Sequence, residues 1–88
     1  MEKELLQQFR EQVKTIDLEI IYLLSRRFEN VKQIWLLKKE LNLEVLQENR
    51  WNELLWDVLD ESRARMLDDD FVVNIWNLIH EESKKIQK

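Results

Sequence analysis

From Lys3 to about Leu41 the apolar positions recur every three or four residues without a break, the period of one face of an α-helix. Val13, Ile16, Ile20, Leu24, Val31 and Ile34 form the main line, with Arg27 falling in the same stripe. Leu6, Phe9, Leu23 and Trp35 mark a second line. No residue before Asn42 stops such a helix, so its expected length is about 55–60 Å. The mean helix of a globular domain is only about 11–12 residues. One small chain cannot cover every apolar face of so long a helix, and a second copy packed against it is expected. Between Asn42 and Gln47 the helical period is lost and β-preferring Val45 appears, which reads as an extended connection. A second helix is expected from Glu48 to Arg65, with Leu54, Leu55, Val58 and Leu59 on its apolar face. The run Met66-Leu67-Asp68-Asp69-Asp70 reads as a turn feeding an N-cap, its acids complementing the positive helix end. A third helix follows from about Asp69 to Gln87, with Val72, Ile75, Trp76, Ile79, Ser83 and Ile86 in line. The expectation is an all-α chain of one long and two medium helices, a single domain over residues 1–88.

Composition narrows the possibilities further. The chain has no Gly and no Pro, so Gly-rich phosphate loops, nucleophile elbows and tight hairpin turns cannot be built in their usual form. It has no Cys, which excludes disulfides, thiolate catalysis and Cys-ligated metal. The single His80 cannot form a His-rich metal site, and no cofactor is expected. Against 14 Lys and Arg stand 18 Asp and Glu, a formal net charge of −4 with no basic run longer than two residues. Nucleic-acid binding through phosphates is therefore poorly supported. The longest apolar run, Ile20 to Leu24, is far short of the roughly 20 residues that span a bilayer. The opening Met1-Glu2-Lys3-Glu4 lacks the order of a secretory signal. A cytoplasmic protein is expected. A domain of this size buries only about 60–65% of its unfolded surface, so a homo-oligomer is the default source of further stability.

The interruptions of the apolar pattern carry the chemistry. The stripe that should be dry contains Arg27 and Lys38, eleven residues apart, on the same side of the helix and roughly 16 Å apart along it. Such cations can snorkel to solvent or pair with Glu residues of a neighbouring helix. They can specify a coiled-coil register. They can also face an internal cavity and bind an anion. On the third helix, Ser83 and Gln87 extend the line through Trp76 and Ile79. They are either the solvated last turns of that helix or neutral groups that orient a ligand. Arg50 adds a cation at the start of the second helix, an ordinary surface residue if taken singly. Arg10 lies roughly 25 Å from Arg27 along the same helix and cannot share a small pocket with it. In an antiparallel pairing of two long helices, however, one chain's Arg10 can approach the other's Arg27 and Lys38. Three or four cations with two neutral donors describe a pocket for a compact dianion, and bidentate Arg recognition suits carboxylates.

These residues, taken together, resemble the all-helical AroQ class of chorismate mutase over nearly the whole chain. Phe9-Arg10-Glu11-Gln12-Val13-Lys14-Thr15-Ile16-Asp17 is similar to the family's opening Leu-Arg, then Ile-Asp. Leu23-Leu24-Ser25-Arg26-Arg27 matches its Leu-Leu-x-x-Arg, Lys38 falls at its catalytic lysine, and Arg50 at the arginine opening the second helix. The segment from Ile79 to Gln87 resembles its closing Ile-x-x-x-Ser-x-x-x-Gln. The resemblance implies an intertwined six-helix homodimer with two identical sites, each completed by the partner's first helix. It implies the pericyclic rearrangement of chorismate to prephenate in aromatic amino-acid biosynthesis. Arg27 and the partner's Arg10 would clamp the carboxylates, with Arg50 and Ser83 in support. Lys38 and Gln87 would hydrogen-bond the ether oxygen.

Two positions depart from the family pattern. Many of these mutases carry an Asp in the connection and a Glu just after the second-helix Arg, where this chain has Gln47 and Trp51. In the family those acids contact the ring hydroxyl. Gln47 can still hydrogen-bond, whereas the indole of Trp51 only donates. A helix starting one residue off register would instead leave Trp51 outside the pocket. A Gln followed by Arg-then-apolar also resembles the related 4-amino-4-deoxychorismate mutases, and the isochorismate-pyruvate lyases of similar fold likewise lack these acids. A non-catalytic or designed helical dimer that keeps the fold is the alternative from another class. The four tryptophans (Trp35, Trp51, Trp56, Trp76) read as core or interface anchors before an aromatic ligand platform. His80 reads as a flanking residue and not as a base.

Overall fold

The computed structural model describes residues 1–42 and 48–87. The described residues form three α-helices and no strand: α1 (Glu2–Glu40), α2 (Glu48–Ala64) and α3 (Asp69–Ile86). Of the extended connection expected from Asn42 to Gln47, residues 43–47 lie outside the described residues, and Asn42 is a left-handed turn residue and not extended. The chain divides into two units, Met1–Asn30 and Val31–Lys88.

The first unit is the greater part of α1, opened by Glu2 and Glu4 at the positive helix end. Nothing in α1 is fully buried. Its apolar line is about half exposed, from Phe9 at 54% and Val13 at 58% to Ile20 at 49%. Leu24, Arg27 and Phe28 are the half-buried positions of this unit.

The second unit holds the last turns of α1 and the helical hairpin of α2 and α3. In the former, Val31, Trp35 and Lys38 are half-buried. Lys38 and Lys39 sit where cations complement the negative helix end. Lys39 Nζ also lies 4.5 Å from the centroid of the Trp35 ring, a cation–π distance. After Glu40 the chain turns, and Asn42 takes a left-handed φ of 57°, a conformation that Asn tolerates past a helix end.

The α2–α3 hairpin turns without glycine. The N–H of Leu67 donates to the carbonyl of Ser62 at 3.0 Å and that of Met66 to Arg63 at 3.0 Å, the paired bonds of a Schellman motif. Met66 occupies its left-handed position with φ 64°. Asp68 then caps α3, accepting from the N–H of Phe71 at 3.0 Å. Across the turn the Asp69 carboxylate takes bonds of 3.2 Å from Arg63 Nε and 3.1 Å from its Nη2. This pairing pushes the Arg63 pKa above its ordinary value. The core of the hairpin is Leu59, Val72 and Ile79 with Ser62 and Ser83, flanked by half-buried Leu54, Leu55, Val58, Ile75 and Trp76. Both expected apolar faces are the faces that pack. Trp56 is the exception among the tryptophans, 61% exposed.

Candidate active site

Helical periodicity sets the candidates on α1. Arg10 and Arg27 belong to the first unit and Lys38 to the second. Arg10 is exposed, whereas Arg27 and Lys38 are half-buried. Burial of the Arg27 guanidinium lowers its pKa from the ordinary arginine value. It remains a cation at neutral pH, because guanidinium does not deprotonate in proteins.

The remaining described candidates lie at the open end of the hairpin, opposite its turn. Arg50, in the first turn of α2, is exposed and lies 3.6 Å from the Glu53 carboxylate, a surface pair worth a few tenths of a kcal/mol, about 0.3–0.5. Next to it, the indole of Trp51 stacks on the His80 imidazole with ring centroids 3.9 Å apart and planes 15° from parallel. That contact brings the first turn of α2 to the face of α3 bearing His80, Ser83 and Gln87, which follow one another at three- and four-residue steps. Ser83 is buried, and its Oγ donates to the Ile79 carbonyl at 2.9 Å. Gln87 is the C-cap of α3, half-buried, its backbone N–H donating to the Ser83 and Lys84 carbonyls at 3.2 Å each. Gln47 lies outside the described residues.

The same end of the hairpin carries a guanidinium on α2, two neutral hydrogen-bonding side chains on α3 and, between the two helices, a stacked aromatic pair. Guanidinium and amide groups suit recognition of carboxylate and ether oxygens. His80 gains a defined contact that the sequence pattern could not show, because its partner lies 29 positions away on another helix. No group of three or more side chains suited to hold a metal occurs among the described residues. A separate cavity of about 320 Å³ lies toward the turn end of the hairpin, walled by Val58, Leu67, Val72 and Trp76. None of the candidate residues lines it. Ser62 also borders it, and its buried Oγ has no hydrogen-bond partner among the described residues.

No helix among the described residues is long and apolar enough to cross a membrane. No curated protein and no solved structure gives a match. The family described as chorismate mutase type II, in contrast, matches residues 9–88, a span that takes in every candidate from Arg10 to Gln87. With its three helices and a match over nearly its whole length, the chain belongs to the type II chorismate mutase family.

Proposed function

We propose that this protein rearranges chorismate to prephenate in the cytoplasm, as a step toward aromatic amino acids. In this reading residues 1–88 act as one domain within an intertwined homodimer of six helices. The observation that carries it is the family match across residues 9–88. Support comes from the side chains at the matching positions: Arg10, Arg27, Lys38, Arg50, Ser83 and Gln87.

The chemistry asks little of a protein in covalent terms. One C–O bond breaks and one C–C bond forms within the same molecule, with no nucleophile, redox partner or external proton donor. Catalysis must come from holding the dicarboxylate in a compact, chair-like geometry and from stabilising charge on the departing ether oxygen. Arg27 and the partner subunit's Arg10 clamp the two carboxylates, with Arg50 and Ser83 in support. Lys38 and Gln87 donate to the ether oxygen, where charge grows toward the transition state. Their contacts strengthen along the reaction, so they act on kcat more than on substrate affinity.

A second reading is favoured by one observation. Trp51 stands where a carboxylate acceptor is common in the family, and its indole is stacked on His80. An acidic acceptor for the ring substituent is thus missing at this position, and the sequence Gln47, then Arg50 followed by an apolar residue, resembles the mutases that act on 4-amino-4-deoxychorismate.

Loss of the near-ultraviolet diene absorbance of chorismate on adding purified protein tests both readings, with Lys38→Ala as control. Consumption of chorismate, abolished in the variant, is the expected result. Turnover of the amino substrate alone moves the assignment to the second reading. A folded dimer that consumes neither overturns the enzyme assignment and leaves a non-catalytic helical dimer, whereas a Lys38→Ala variant as active as wild type overturns the mechanism that rests on Lys38.

A further inference from the structure

Trp51 and His80 lie in different helices, 29 positions apart, yet their rings stack at 3.9 Å and 15°. The two ends of the hairpin are held by different means. At the turn, chain continuity is reinforced by the Arg63–Asp69 bonds and the Asp68 cap. Trp51 is about 20 Å from that turn along α2, so at its level the separation of the helices depends on side-chain packing. Both stacked rings are half-buried. On one side of the contact, Arg50 precedes Trp51 directly. On the other, Ser83 and Gln87 follow His80 along the same face of α3.

We infer that the Trp51–His80 stack is a positioning clip. It fixes the first turn of α2, and with it Arg50, against the α3 face that bears Ser83 and Gln87. His80 is thus a positioning residue that acts through Trp51. The indole at a position where relatives place an acid has a mechanical task in this chain. The inference rests on the proposed function, because it assigns the clip to that site.

The test compares His80→Ala and His80→Phe in the full chain, using whichever of the two substrates wild type consumes. Leu59→Ala, a buried position in the same hairpin, serves as a control for general destabilisation. An aromatic pair of this kind is worth roughly a two- to twelvefold change in an equilibrium constant. His80→Ala is expected to raise KM by that factor with kcat within about twofold of wild type, the mark of lost binding geometry. His80→Phe, which keeps a flat ring against Trp51, is expected to restore KM. Leu59→Ala is expected to lower the melting temperature and leave KM unchanged where the protein is folded. An unchanged KM in His80→Ala, or an equal rise in His80→Phe, overturns the clip while the proposed function stands. Wild type that consumes neither substrate overturns both.

Discussion

Arg27, proposed above as a carboxylate ligand, illustrates how a binding residue differs from a stabilising one. Burial lowers its pKa, so desolvation in the folded chain works against the charge it carries. For a cation with a lowered folded-state pKa, stability rises with pH between the folded and unfolded values. That window is alkaline for arginine, and no dependence near neutrality arises from this group. Arg27→Met is therefore expected to leave the melting temperature equal or higher while substrate turnover is lost, checked by calorimetry beside the absorbance assay. Lys38→Ala is expected to lower kcat by about 10²–10³, the usual effect of deleting one donor to a developing oxyanion. Circular dichroism of that variant should remain that of the wild type. Arg27, Lys38, Ser83 and Gln87 were all legible in the sequence as polar residues interrupting apolar lines. The back-bond from Ser83 to Ile79 was not, since spacing places a side chain on a face without saying which acceptor its hydroxyl meets.

The helices themselves follow from period and caps. The apolar lines through Leu59 and through Val72, Ile79 and Ser83 are the buried ones, as the three- and four-residue spacing required. The acidic turn before α3 was equally plain, although only the backbone shows that Asp68 is the residue capping it. Asp68→Ala is expected to destabilise by about 1 kcal/mol, the usual effect of losing such a cap, read from denaturant unfolding. Met66 was legible as the start of a turn but not as its left-handed residue, because in a chain without glycine that conformation has no compositional mark. Its φ of 64° opposes the preference of an L-residue by about 1–2 kcal/mol, partly offset in a glycine by its greater unfolded-state freedom. Met66→Gly is expected to raise stability by about 0.5–1 kcal/mol, since Met66 is 93% exposed and little packing is lost. A lower denaturation midpoint would contradict this account of the turn.

At the scale of the molecule, α1 sets the problem. Its line of Phe9, Val13, Ile16 and Ile20 stays about half exposed along the first unit, more apolar surface than a helix of a monomer ordinarily leaves to water. The proposed homodimer covers it, and a melting temperature that rises with protein concentration is the expected signature. The proposed sharing of each site between subunits makes a sharper prediction. Mixing Arg10→Ala with Lys38→Ala, each inactive alone, should regenerate one intact site per mixed dimer. About a quarter of wild-type activity is then expected after random re-pairing of subunits in the proposed two-fold dimer. If Arg10 and Lys38 of one chain served the same site, mixing would restore nothing.

Periodicity, caps and the absence of glycine, proline and cysteine determined the all-α class, the three helices and the positions where charge interrupts apolar faces. Those features are local, repeating every few residues, and a helix expresses them whatever surrounds it. The tertiary structure alone decided that Trp51 meets His80, that Asp69 closes the turn through Arg63, and that Met66 takes the left-handed position. Each depends on how one helix reverses onto another. Two side chains tens of positions apart meet only when the turn geometry and the packed core of Leu59, Val72 and Ile79 set the distance between their helices.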